Sequence, residues 1–299
     1  LACSSFLPAA TRPQTEVIEE TEQRRVPRTR ALDPVVLALP AVRPLLRRVT
    51  VLEEVDSTNR YLDRMAPAER HGHAVIADRQ TAGRGRRDRR WHSPAGGNLY
   101  FSLGWRFRRA DLPFSTLPLL AAVAAAEALR RFGLERHGIK WPNDILVEGK
   151  KLAGILVELK SAGTATCAIV GIGINLDMPA ADGEDPALLI DRPWTDLASC
   201  LAVPSAAHDR NRVATLLLEQ LLAALERFEN SGFESFRSAW ARYDLLTDSP
   251  VTLETDDGTV EGRAVGISDT GELQVEQANG ALVSYHAGEV RVFRGIRTF

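Results

Sequence analysis

Cysteine is scarce in this chain. Its 299 residues hold three, Cys3, Cys167 and Cys200, scattered and without a C-x-x-C pair. That excludes a disulfide frame and a cysteine-bound zinc site, and fits the free thiols of a reducing compartment. An excess of charge is missing as well. The formal net charge is −2 and the isoelectric point lies near 6.4, whereas a general nucleic-acid binder carries a strongly basic domain. No apolar run reaches the length of a membrane span. The expectation is a soluble, cytoplasmic chain with no membrane partner. What is present in bulk is ordinary for a globular protein: 44% hydrophobic and 25% charged residues, with length for one large domain and a small one.

The N-terminal part has little to bury. Residues 11–30 are polar and charged, with Pro13 and Pro27 among them, and predict a disordered tail over residues 1–46. Residues 35–39 form one short apolar patch. A helix-turn-helix needs two or three periodic helices, and Pro34, Pro40 and Pro44 leave no room for them. No DNA-binding domain is expected here. The first residue is Leu1 rather than Met, so the native start is left open.

The stretch that organises the rest is Asp78 to Trp91, which holds six arginines and the glycines Gly83 and Gly85. The apolar run Ala74-Val75-Ile76-Ala77 leads into it, so the basic segment is a loop leaving a sheet. Glycines there are expected at positive φ, bending backbone around a ligand. Arginine forks onto phosphate oxygens in pairs, which suits a polyphosphate clamp. Taken alone, these residues favour a nucleic-acid patch or a solvated charge run over that clamp.

Around this loop the chain alternates strands with a few helices. Val49 to Leu52 reads as a strand, and Asp56-Ser57-Thr58-Asn59 follows. Tyr61, Leu62 and Met65 then recur at helical spacing. The polar cluster is first a helix N-cap, and its surplus hydroxyls can line a pocket at the helix start. Asn98 to Trp105 is a strand. Leu117 to Phe132, apolar all round, is a buried helix with Pro118 in its first turn. Lys140-Trp141-Pro142-Asn143-Asp144 is a turn between strand pieces, and Glu148-Gly149-Lys150 a hairpin. Lys151 to Leu159 and Cys167 to Asn175 are long strands, the second with Gly171 and Gly173 open to close approach. Helices near 213–228 and 233–243 close this unit. Strands in hairpin series with helices on one face predict an α+β fold, not an alternating βαβ one. Beyond Pro250, five short β runs separated by Asp257-Gly258, Thr270-Gly271 and Asn279-Gly280 predict a small barrel. No residue in that tail suggests chemistry.

Four motifs occur in order: Gly83-Arg84-Gly85-Arg86-Arg87, Lys140 to Asp144, Lys151 to Leu156, and Gly171-Ile172-Gly173-Ile174-Asn175. Together they resemble the biotin protein ligases over about residues 48–295, whereas each alone is weak. The resemblance implies a mixed sheet like that of class II synthetases and lipoate ligases over residues 47–247. It implies an SH3-like domain over 248–299, in the monofunctional type. The implied reaction is ATP-dependent activation of biotin as biotinyl-5′-AMP, then transfer to a lysine of a biotin carboxyl carrier domain of acetyl-CoA carboxylase or a related carboxylase. ATP and Mg2+ are implied cofactors, with a monomer or homodimer and no nucleic acid. Carried onto this chain, Lys151 and Arg86 are the catalytic cations. Ser57, Thr58, Asn59, Gln80, Gly83, Arg84, Arg86, Lys151 and Gly154 would hold biotin. Arg86, Arg89, Trp91, Asn143 and Asn175 would hold ATP. Asp144 would bind the metal or orient the incoming amine.

Asp88 departs from the family, which usually has glycine there. Asp tolerates left-handed backbone, but its charge could pair with Arg86 or Arg89 and slow loop closure. His92 is given no role, and His137 is expected at the surface. The rival readings are a lipoate ligase on the same scaffold, a nucleic-acid-binding module using the arginine loop, and an inactive adenylate-sensing scaffold.

Overall fold

The computed structural model describes residues 32–33, 44–162, 165–178, 190 and 192–292. The expected disordered tail therefore lies almost wholly outside the described residues. β1 (Arg48–Val55) and β2 (His73–Gln80) run parallel, joined by a crossover that carries α1 (Thr58–Asp63) and α2 (Pro67–Arg70). This one βαβ unit departs from the expected series of hairpins. The remaining strands are antiparallel: β3 (Leu99–Phe107), β4 (Gly138–Lys140), β5 (Asp144–Val147), β6 (Lys150–Ala162) and β7 (Ala165–Ile174). The seven strands lie in the order β1-β2-β3-β7-β6-β5-β4.

Both faces of the sheet are covered, which explains its central sequences. β2 begins with five buried residues and β3 buries all but Arg106, so neither alternates as a half-exposed strand would. On one face lies α3 (Leu117–Phe132), buried nearly all round, with Pro118 in its first turn and Gly133 ending it at φ 121°. After the single turn α4 (Leu197–Cys200), α5 (Arg210–Ser231) packs along α3, and α6 (Arg237–Tyr243) follows. On the other face Leu62 of α1 seals a small second core with Val75 and Ile169. Helices on both faces, rather than one, are the second difference from expectation. Among the described residues no helix is long and apolar enough to cross a membrane.

The tail forms β8 (Pro250–Thr255), β9 (Gly258–Ile267), β10 (Leu273–Glu276), β11 (Leu282–Tyr285) and β12 (Glu289–Val292). Their hairpins turn where Asp257-Gly258, Thr270-Gly271 and Asn279-Gly280 stand, with Gly258, Gly271 and Gly280 all at positive φ. Its order is β11-β10-β9-β8-β12, antiparallel throughout. As hydrogen-bonded, it is an open five-stranded sheet. The edge strands β11 and β12 are four residues each and do not pair with one another among the described residues.

This sheet docks against the larger unit through polar contacts as well as apolar ones. Trp141 Nε1 donates to Gly271 O at 2.9 Å, Ser115 Oγ to Thr270 O at 2.8 Å, and Lys140 Nζ to Val290 O at 3.2 Å. Arg237 reaches Asp269. Trp141 is buried, so Trp141→Phe leaves the Gly271 carbonyl without its donor. The expected loss is about 1–3 kcal/mol, read as a lower urea midpoint at unchanged slope.

Candidate active site

The arginine loop, the β5–β6 hairpin, the glycines of β7 and the start of β12 surround one cleft of about 890 Å³. Its floor is made by what three glycines lack. Gly154 and Gly173 face each other across β6 and β7. A Cβ on Gly173 would lie 2.6 Å from the Trp91 indole, and one on Gly154 3.0 Å from Trp91 and from Lys151 Cε. A Cβ on Gly171 would overlap Asn59 Oδ1. The close approach expected of this strand is thus made here by Trp91 and Asn59.

The arginine loop is a small hairpin. Trp91 N donates to Gly83 O at 3.0 Å, Gly85 N to Arg89 O at 2.7 Å, and Arg89 N to Arg86 O at 3.3 Å. Its tip is Arg87-Asp88, with φ 54° and 56°, the double left-handed conformation of a tight hairpin turn. Asp88 sits in the geometry its residue type tolerates. Gly83 and Gly85 are not at positive φ, contrary to expectation. Gly83 is needed for space, since its Cβ would be 2.5 Å from Ser93 Oγ and 2.6 Å from Trp91 O.

Most cations around the cleft rest on an acceptor within the protein. Lys151 Nζ is 2.6 Å from Asp144 Oδ1 and 5.2 Å from the Trp91 ring centre, within cation–π range. Arg84 pairs with Glu158 at 3.1 Å. Arg86 donates to Asn143 Oδ1 at 3.2 Å, and burial lowers its pKa. Burial likewise lowers that of Lys140. Arg89 and Arg192 both bind the Glu289 carboxylate, which arrives from the C-terminal sheet. Burial works to raise the Glu289 pKa, but the two guanidiniums prevail and hold it at about 2.

Opposite the cations lies a polar pocket. Ser57 occupies the N-cap position of α1 without a side-chain capping bond. Gln80 does that work instead, its Oε1 accepting from Thr58 N at 2.9 Å and from Thr58 Oγ1 at 3.2 Å. Gln80 Nε2 donates to Ser93 Oγ at 3.1 Å. Ser102 Oγ is 2.7 Å from Thr58 Oγ1 and 2.6 Å from Asn59 Oδ1.

Of the residues the sequence singled out, Ser57, Thr58, Asn59, Gln80, Arg84, Arg86, Arg89, Trp91, Asn143, Asp144, Lys151, Gly154 and Asn175 all line this cleft. Gly83 instead lines a shallow recess behind the loop with Arg60 and Arg90. Asn175 spends its side-chain amide on Thr195 O at 3.0 Å, and Asn143 donates to Ile155 O at 2.6 Å. Asp144 brings a single carboxylate, already paired with Lys151. Among the described residues no group of three acidic, His or Cys side chains could hold a metal. That donor set fits Mg2+ arriving on phosphates rather than an all-protein cage.

Three residues around the cleft were not singled out: Arg192, Glu158 and Glu289, the last of which brings the C-terminal tail to the cleft wall. The sequence signal for Glu289 was weak, a lone acid beside Gly288 at a strand start. His137 is buried, not at the surface: it stacks on Tyr243 at 5.3 Å and its Nε2 is 2.9 Å from Ala126 O.

The site thus combines a mixed sheet, cations gathered over glycine-floored strands, and a small antiparallel sheet along one side. Residues 51–175 match the profile described as "Biotin/lipoate A/B protein ligase family", and residues 248–292 match "Biotin protein ligase C terminal domain". The chain is 40% identical over 244 residues to "Bifunctional ligase/repressor BirA" of Salmonella typhimurium, covering 81% of this chain and 73% of that protein. It is 34% identical over 232 residues to "Biotin--[acetyl-CoA-carboxylase] ligase" of Paracoccus denitrificans, covering 75% and 92%. The solved biotin protein ligase from Aquifex aeolicus in complex with biotin and ATP superposes with a TM-score of 0.67 at 30% identity, covering 84% of this chain and 100% of that one. This chain belongs to the biotin protein ligase family.

Glu289 gives an acid-stability prediction. Its folded pKa, about 2, lies below the ordinary 4.5, so its contribution is whole above pH 4.5 and is lost as pH falls toward 2. Glu289→Gln is expected to be less stable than wild type near neutrality, with the gap closing between those two values. Denaturant unfolding at a series of pH values measures it.

Proposed function

We propose that this chain is an ATP-dependent ligase that activates biotin as biotinyl-5′-AMP and passes the biotinyl group to a lysine of a carrier protein. One observation carries the reading: Lys151, the arginine loop and the Ser57–Gln80 pocket open onto a single cleft. In the first step a biotin carboxylate oxygen attacks the α-phosphorus of ATP, and pyrophosphate leaves with the electron pair of the broken P–O bond. In the second, the neutral lysine amine attacks the acyl carbon, AMP departs and the nitrogen loses a proton. Both steps concentrate negative charge on oxygen, and fixed cations lower such barriers.

The residues divide this work. Ser57, Thr58, Asn59 and Gln80 supply hydroxyl and amide groups for the biotin head, with Gly154 keeping the strand low beneath it and Gly83 seating the loop. Lys151 and Arg86 take the carboxylate and α-phosphate oxygens, joined by Arg84. Arg89 and Trp91 face the nucleotide, and Asn143 and Asn175 hold the walls there. Trp91 Nε1 is buried against Gly173, with no hydrogen-bond partner among the described residues. Asp144 holds Lys151 in place and lies near where the amine arrives; Mg2+ bound with ATP would offset phosphate charge beside it. Closing the arginine loop keeps water from the anhydride.

We read residues 47–247 as the catalytic unit, residues 248–299 as an SH3-like domain and residues 1–46 as a tail. The acceptor is a biotin carboxyl carrier domain, of acetyl-CoA carboxylase in the case suggested by the name of the Paracoccus relative. The free thiols Cys167 and Cys200 favour the cytoplasm, and the near-neutral charge favours a protein partner over nucleic acid. The working form is a monomer or homodimer.

Incubation with biotin, Mg-ATP and a carrier domain is expected to add one biotinyl group to a carrier lysine, read by mass. An unmodified carrier, or lipoate serving as well as biotin, would overturn the reading. Lys151→Ala is expected to slow biotin-dependent ATP–pyrophosphate exchange by a factor on the order of 10²–10³. Arg86→Gly is expected to release the adenylate early. Purified variant mixed with a bystander protein should then label its lysines several-fold more than wild type does.

A further inference from the structure

Glu158 does not itself line the cleft, yet it hydrogen-bonds to two side chains that do. Its Oε1 accepts from Arg84 Nη1 at 3.1 Å and its Oε2 from Asn59 Nδ2 at 2.8 Å. Asn59 in turn lies 2.6 Å from Ser102 Oγ, which is 2.7 Å from Thr58 Oγ1. Thr58 leads to Gln80, Gln80 to Ser93, and Ser93 Oγ donates to Trp91 O at 3.0 Å. The chain of contacts therefore leaves one root of the arginine hairpin at Arg84, crosses the pocket, and returns at its other root. Ser102 and Asn59 are buried, and Gly171 cannot carry a Cβ without displacing Asn59, so the path has little freedom. Glu158 is the one carboxylate along it. Removing it cuts the path between Arg84 and Asn59, while the other root keeps its tie through Gln80, Ser93 and Trp91.

We propose that Glu158 is a positioning residue that couples occupation of the Ser57–Asn59 pocket to closure of the arginine loop. This rests on the ligase reading above. A ligand settling against Thr58 and Asn59 fixes the Asn59 amide, the amide fixes the carboxylate, and the carboxylate fixes Arg84. A filled pocket thus holds the loop in the arrangement that receives the nucleotide, and keeps it shut over the adenylate. Such coupling is reciprocal: ATP must tighten biotin by the same factor that biotin tightens ATP.

The test compares wild type, Glu158→Gln and Glu158→Ala in two measurements. One is the release rate of biotinyl-5′-AMP; the other is biotin affinity with and without ATP under conditions blocking turnover. Both variants are expected to release the adenylate roughly ten to a hundred times faster, the fold-change of a lost charge-assisted hydrogen bond. The factor by which ATP tightens biotin should fall toward one. A merely structural role would lower thermal stability and leave that factor at its wild-type value, which would overturn the proposal, as would unchanged release. Should Glu158→Ala not fold, the isosteric Glu158→Gln carries the same comparison. Wild type that fails to bind biotin counts against the ligase reading, whereas binding wild type with unaltered variants counts against the latch alone.

Discussion

Like charges crowded into one cleft repel, and the structure depends on how that repulsion is met before any ligand arrives. Arg84, Arg86, Arg89, Lys140, Lys151 and Arg192 all line the same cavity. Two cations a few ångströms apart in a partly dry site oppose each other by several kcal/mol, on the order of 4 at an effective dielectric of 20. Carboxylates brought from different strands offset this: Glu158 and Asp144 from the large sheet, Glu289 from the small one. Each is close enough to hold a cation in position, and each is weaker competition than a nucleotide carrying several phosphate charges. The resting protein thus contains stand-ins for the charges of its substrates.

That arrangement explains why the small sheet lies where it does. Glu289 at the start of β12 gathers Arg89 and Arg192, and the neighbouring Val290 carbonyl accepts from the half-buried Lys140. Trp141, next to Lys140 in the β4–β5 turn, is hydrogen-bonded to the β9–β10 turn. The C-terminal sheet is therefore one wall of the cation cluster, beyond its role as a supporting module.

What was legible in the sequence was local. Turn pairs such as Asp257-Gly258 and Asn279-Gly280 announce hairpins because positive φ restricts the residues that can occupy them. Pro118 marks the first turn of a helix for similar steric reasons. The cleft-lining residues were legible because three of the four motifs lie along the adjoining strands β4 to β7, and the arginine loop reaches them from the end of β2. Long-range pairing was not legible: Arg89 and Glu289 stand 200 residues apart, and nothing near either names the other. His137 was misplaced because one histidine gives no sign of the Tyr243 ring that covers it. Gly83 was assigned backbone freedom when the structure uses its missing side chain, a distinction set by Ser93 and Trp91 across the hairpin.

The central claim is that Lys151 and Arg86 exchange internal partners for ligand oxygens. A crystal structure of the protein with biotinyl-5′-AMP bound tests it most directly. The account predicts the Lys151 ammonium and the Arg86 guanidinium within hydrogen-bonding distance of the acyl phosphate, with biotin against Thr58 and Gln80. An adenylate bound elsewhere, with Lys151 still on Asp144 and Arg86 still on Asn143, would contradict it.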